Sequence, residues 1–124
     1  ELIKLSLRHR PDLLIVGEIR DKLTAQAVLR ASLTGYTVFS TVHAASVRGV
    51  IQRLSELGLS HWEIKNALSS VVYQRLIAGK GVLDIAKNEF ESWSSENWNK
   101  KIDQLLTNGY LTSTEAKREK IKTD

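Results

Sequence analysis

The sequence predicts an α/β fold: part of a parallel sheet with flanking helices, followed by a small helical appendage. Three observations carry this. Leu13-Leu-Ile-Val16 is an unbroken apolar run closed by Gly17 and an acid, Glu18. A strand, a helix and a second strand then follow within about 30 residues, the length of a βαβ unit. From about residue 88 the apolar residues thin out while Asn, Ser, Lys and Glu rise. The chain therefore divides into an α/β part, residues 1–87, and a helical part, residues 88–124.

Residues 1–10 carry Leu2, Ile3, Leu5 and Leu7 among basic residues, which suits a short helix ending before Pro11. The run 13–16 is short, continuous and bounded by breakers, so it reads as a strand buried on both faces. Glu18, Arg20 and Asp21 emerge at its carboxyl end, where ligands gather in open α/β sheets. Thr24 can cap a helix that carries Ala25, Ala27, Val28, Leu29, Ala31 and Leu33 and stops at Gly35. Thr37 to Val42 is rich in β-branched and aromatic types, a strand that ends in His43.

Ser46 opens a helix with Val47, Val50, Ile51, Leu54 and Leu57 on one face, and Gly58 stops it. Ser60-His-Trp-Glu63 has the form of a capping box, and the helix it opens extends over Ile64, Ala67, Leu68, Val71 and Val72. Gln74–Ile77 and Val82–Ile85 form a hairpin or strand pair about Gly79-Lys-Gly81. In the helical part, Trp93, Trp98, Ile102, Leu105 and Leu106 give an apolar stripe, Gly109 is a stop, and Thr112-Ser-Thr-Glu115 opens a last helix rich in Lys and Arg. Trp62, Trp93 and Trp98 are read as packing residues.

At 124 residues the chain can bury roughly two-thirds of its unfolded surface. The net charge of +4 permits an acidic partner without demanding one. With no cysteine, disulfides and thiolate metal sites are excluded. The chain begins at Glu1 and contains no Met, which suits a fragment. No apolar run approaches the roughly 18 residues of a membrane span. His9, His43 and His61 lack zinc-ligand spacing, and no Gly-x-Ser-x-Gly elbow occurs. Gly79-Lys80 is followed by Gly81, so no phosphate-cradling P-loop is present.

Two strands thus leave an acid, Glu18, and an imidazole, His43, at neighbouring carboxyl ends. A carboxylate there can orient a water and help hold a metal, and an imidazole can contact phosphate oxygens. Read from the residues alone, each is equally open to being the polar end that any strand needs.

Leu14-Ile-Val-Gly-Glu-Ile-Arg-Asp21, Thr24-Ala25, Ala31-Ser-Leu-Thr-Gly35 and Val38-Phe-Ser-Thr-Val-His43, in this order, resemble the secretion-ATPase superfamily, the hexameric motors of type II secretion, type IV pili and the competence pseudopilus. The resemblance runs from about residue 2 to Ile77, with a fainter echo of the pilus motors' last helices at Asp103 to Ala116. Without cysteine the four-cysteine zinc insert of some type II secretion members is missing, and the overall look is closest to the competence DNA-uptake branch of Gram-positive bacteria.

The resemblance implies the C-terminal part of a RecA-like P-loop NTPase domain. It implies ATP and Mg2+ as ligands of the full-length protein, a homo-oligomeric hexameric ring, and an inner-membrane platform protein as partner. It also implies a cytoplasmic location peripheral to the membrane, with no sequence-specific binding of nucleic acid. By matched position, Gly17, Glu18, Arg20 and Asp21 form the Walker B signature. Glu18 matches the catalytic glutamate, with indirect support of magnesium, and His43 matches the His box, which the resemblance assigns to sensing either the γ-phosphate or the subunit contact. Arg8 and Arg75 match positions open to a nucleotide or subunit contact.

Walker A is absent from this chain, Tyr36 stands where many relatives carry His, and Ala44-Ala45 follow His43 where many carry Thr-Asn. By itself the chain is expected to be inactive, and to self-associate through the apolar surface of a partial sheet. Two alternatives share some of these features: another RecA-like motor, such as a helicase or conjugation ATPase, and a non-enzymatic basic module that binds nucleic acid.

Overall fold

The structure, a computed structural model, describes residues 13–122. They form two compact units, residues 13–44 with 49–69 and residues 45–48 with 70–122. The helix expected over residues 1–10, Pro11 and Arg8 lie outside the described residues.

In the first unit, strand β1 (Leu13–Val16) pairs in parallel with strand β2 (Thr37–Ser40), in register from Leu13↔Thr37 to Val16↔Ser40. Helix α1 (Lys22–Leu33) joins them, so the βαβ unit is as the sequence predicts. The strand is not buried on both faces. Leu14 is buried while Leu13 and Ile15 are exposed, as is Phe39 on β2. Side chains alternate along a strand, and α1 packs against β2, so one face is covered and the other is left open.

The cap of α1 is Asp21, not Thr24. The Asp21 Oδ1 accepts the backbone N–H of Thr24 at 2.8 Å, and Thr24 already lies in the first turn. The residue three positions ahead of a first-turn amide is the one that can reach it, which makes Asp21 the better-placed acceptor. Gly35, at φ +103°, ends the helix as a left-handed C′ residue.

Helix α2 (Val47–Glu56) buries Val47, Val50, Ile51 and Leu54, the expected face, with Leu57 buried just after it. Helix α3 (His61–Ala67) opens with the expected capping box: Glu63 N donates to Ser60 Oγ at 3.1 Å, and Ser60 N to Glu63 Oε1 at 2.8 Å. It packs on α1, where Ser32 Oγ donates to the Ala67 carbonyl at 3.1 Å.

This helix ends earlier than its apolar spacing suggests. Val71 and Val72 belong to strand β3 (Val71–Ile77), because these β-branched residues pair with strand β4 (Lys80–Ala86) as Val71↔Ala86 and Val72↔Ile85. Trp62 is 65% exposed and packs into nothing that hides it, contrary to its expected role.

The second unit is built on the antiparallel β3–β4 hairpin. Its turn falls at Ala78-Gly79, with φ of 51° and 76°. Two positive φ angles in a two-residue loop match the right-handed twist of the flanking strands. A short 3₁₀ turn (Phe90–Ser92) leads to helices α4 (Glu96–Thr107) and α5 (Ser113–Glu119). Ile77 and Val82 of the hairpin share a core with Trp98, Ile102, Leu111 and Ala116. The composition shifts near residue 88, yet packing groups the hairpin with the helices that follow.

Both tryptophans of this unit find polar partners. Trp98, 1% exposed, donates its Nε1–H to the Glu119 carbonyl at 2.8 Å. Trp93 donates to Asp84 Oδ2 at 3.0 Å, and Asp84 is a buried carboxylate. A buried indole or carboxylate is tolerable only with such a bond. A second capping box, Thr112 with Glu115, opens α5. No helix among the described residues is long and apolar enough to cross a membrane.

Candidate functional site

The parallel ladder ends at Val16↔Ser40, and the two segments that follow stay in contact past it. Glu18 lies in the irregular segment after β1, His43 in the one after β2. The two side chains meet: His43 Nε2 stands 2.7 Å from Glu18 Oε1. The other carboxylate oxygen, Oε2, is 2.9 Å from Arg20 Nε. Each oxygen of Glu18 thus faces one basic group.

Exposure differs sharply among the three. The Glu18 side chain is 26% exposed, against 80% for Arg20 and 92% for His43. The acid is anchored at the sheet edge and the two bases reach it from solvent. Water screens such contacts, and surface pairs of this kind contribute about 0–1 kcal/mol each. They orient the carboxylate more than they hold the fold together.

Backbone contacts continue the ladder without forming a strand. Ile19 N donates to the Thr41 carbonyl at 2.8 Å, and Thr41 Oγ1 donates to the Gly17 carbonyl at 2.6 Å. Arg53 of α2 donates from Nη2 to the Arg20 carbonyl at 3.4 Å. At Gly17 an added Cβ would meet nothing within 4 Å, so no neighbour among the described residues forces a glycine there.

The remaining sequence candidates separate. Asp21 points into the helix cap, where the Thr24 backbone amide holds its carboxyl below the usual range. Arg75 sits on β3 in the second unit and pairs with Glu119 Oε2 at 3.2 Å. Arg8 is outside the described residues. The structure therefore brings Glu18, Arg20 and His43 together, gives Asp21 a capping contact, and gives Arg75 a contact within its own unit.

Sequence reading passed over Thr41 and Arg53. The signal for Thr41 lies in the observed register, not the sequence: with Val16 opposite Ser40, the next parallel step sets Gly17 beside Thr41. Arg53 carried none, because its reach depends on how α2 packs.

Among the described residues no group of three or more His, Asp or Glu side chains could hold a metal ion. Glu18 is a lone carboxylate between two basic groups, whereas magnesium takes oxygen donors in an octahedron. These residues do not form a magnesium site by themselves. Chemically the arrangement offers an oriented hydrogen-bond acceptor, with a basic group on each side, at the carboxyl end of a parallel pair. Such an acceptor can align a water for attack.

Residues 1–109 match the family described as Type II/IV secretion system protein. The chain is 60% identical over 120 residues to the competence protein ComGA of Streptococcus pneumoniae, covering 97% of this chain and 38% of that protein. It is 46% identical over 71 residues to the type II secretion system protein E of Klebsiella pneumoniae, covering 57% of this chain and 14% of that protein. The chain thus spans well under half the length of these relatives. Among solved structures it resembles the ATPase DotB of Legionella pneumophila, with a TM-score of 0.72 at 21% identity over 94% of this chain and 40% of that one. That likeness shows the RecA-like α/β fold.

Proposed function

Since the chain belongs to the Type II/IV secretion system protein family, we propose that it is the C-terminal part of a motor ATPase that powers pseudopilus assembly for DNA uptake. The observation that carries this reading is the Glu18–His43 contact at the carboxyl ends of two parallel strands, where an RecA-like fold places its reacting phosphates. The choice of competence among the branches rests on the 60% identity to ComGA.

In this reading Glu18 aligns the attacking water. The water oxygen bonds to the γ-phosphorus, the bond from that phosphorus to the β–γ bridging oxygen breaks, and ADP and phosphate result. Glu18 accepts a hydrogen bond from the water and draws its proton as the bond forms. To do so it must free one oxygen, and His43, almost wholly exposed, is the partner that can swing aside. An imidazole that leaves Glu18 is free to contact the terminal phosphate, which couples the presence of nucleotide to release of the acid. Arg20 keeps the other oxygen and so the orientation of the carboxylate.

Mg2+, when bound, neutralises charge on the phosphates; its ligands must come mainly from outside the described residues. The full-length protein is proposed to work as a homo-hexameric ring on the cytoplasmic face of the membrane, against a platform protein of the pilus machine. Replacing Glu18 by Gln in the full-length protein tests the reading: ATP should still bind and turnover should be lost.

A further inference from the structure

We propose that Thr41 is the residue that positions the Glu18 loop; this rests on the reading of Glu18 as the water-aligning acid. Thr41 grips the chain on both sides of that acid. Its hydroxyl donates to the carbonyl of Gly17, one residue before, at 2.6 Å. Its carbonyl accepts the N–H of Ile19, one residue after, at 2.8 Å. Glu18 is the residue between.

The two bonds have different sequence requirements. Any residue at position 41 can supply the carbonyl for Ile19. The Gly17 carbonyl is met by the Thr41 hydroxyl, a bond that a residue without a side-chain donor at position 41 cannot make. A glycine immediately before the acid leaves that carbonyl with wide rotational freedom, and the Thr41 hydroxyl removes it. Fixing the peptide planes on both sides fixes where the Glu18 Cα–Cβ bond points, before His43 and Arg20 touch the carboxylate.

Thr41 also couples the two sides of the site. It lies two residues before His43, so the segment that holds the Glu18 backbone carries the imidazole that meets its side chain. A shift of this segment moves acid and imidazole together. Because Thr41 is exposed, its hydroxyl has no core to support, and its bond is spent on geometry rather than on packing.

The test uses the full-length protein and three variants: Thr41→Val, Thr41→Ser and Glu18→Gln. Valine keeps the branched shape and loses the hydroxyl; serine keeps the hydroxyl and loses the methyl. ATP turnover, KM, the stoichiometry of bound nucleotide and thermal melting are measured for each.

The expected result is a kcat about tenfold or more lower for Thr41→Val per bound nucleotide, since small misplacements of a reacting group cost up to about 100-fold. KM and melting should stay near wild type, and Thr41→Ser should return kcat to within about threefold. Wild-type turnover in Thr41→Val overturns the proposal. So does equal loss in valine and serine, which would implicate the methyl, or a loss that tracks melting or nucleotide stoichiometry. If Glu18→Gln turns over normally, the reading of Glu18 has failed and the proposal falls with it. Loss in Glu18→Gln beside an unaffected Thr41→Val leaves that reading standing and removes Thr41 alone.

Discussion

Glu18 and His43 meet at 2.7 Å across the carboxyl ends of two parallel strands, with helix α1 between them in sequence. The acid is largely covered and the imidazole is 92% exposed. On the proposed reading, strength and function separate at this contact. His43→Ala should change unfolding free energy by no more than about 0.5 kcal/mol, the usual range for an exposed side chain. On the proposed reading, in which His43 stands at the reacting centre, it should lower ATP turnover of the full-length protein about tenfold or more. Denaturant titration and steady-state hydrolysis on the same preparation check both halves.

The second unit depends on one side chain more than on any other. Trp98 is almost fully buried, contacts Tyr73 at a ring-centroid distance of 4.9 Å, and bonds to the Glu119 carbonyl. Trp98→Ala should destabilise the chain by about 3–5 kcal/mol. Trp62→Ala, at a residue 65% exposed, should stay within about 0.5 kcal/mol. Equal losses from the two, read by urea unfolding, would contradict the packing described.

The hairpin turn holds a correctable conflict. Ala78 adopts φ 51°, a left-handed conformation that costs an L-residue with a Cβ about 1–2 kcal/mol. Ala78→Gly should raise the melting temperature, with a gain of up to about 1 kcal/mol after the added freedom of the unfolded glycine is subtracted. Calorimetry on the two chains decides it, and a lower melting temperature for the variant would show that the turn is not of this type.

Two helix caps carry an acid dependence. The Thr24 and Thr112 backbone amides hold the carboxyls of Asp21 and Glu115 below their ordinary values of 3.8 and 4.5. A lowered folded-state pKa means that the unfolded chain takes up protons first as pH falls. The contribution is complete above the ordinary values and is lost as pH drops through the folded ones. Melting temperature should therefore fall from about pH 5 to pH 3. The double variant Asp21→Asn with Glu115→Gln, which keeps capping groups that do not titrate, should fall less steeply. Parallel curves for the two proteins would remove the caps as its cause.

Much of this architecture is written in local sequence. Ser60 with Glu63 and Thr112 with Glu115 announce two helix starts because capping is a contact over three residues, and both boxes form. The β-branched run at 37–42 and the apolar run at 13–16 give the parallel pair, since their residue types suit strands. Local reading fails where pairing decides. Val71 and Val72 continue the spacing of α3, yet the partner strand claims them. Thr24 looks like the cap of α1 by residue type, yet the Asp21 side chain makes that contact.

The site is legible to the same degree. Glu18 and His43 are visible as polar residues ending two strands, and parallel pairing brings them together. Arg20 reaches back to its near neighbour Glu18. Arg53 is not visible, because its contact with the Arg20 carbonyl needs a helix placed by its buried face. Exposure is not visible either: Ile15 and Phe39 look like core residues, and only the two-stranded sheet shows that their side chains face outward.

The most direct test is steady-state ATP hydrolysis by the full-length protein, wild type against Glu18→Gln, with ATP affinity measured on both. Glutamine keeps the size of the side chain and removes its charge and its capacity to take a proton. The account predicts affinity within a few-fold of wild type and turnover lower by about two orders of magnitude or more. Turnover unchanged at full ATP binding would contradict it, and would reduce the Glu18–His43 pair to a surface contact at the end of a sheet.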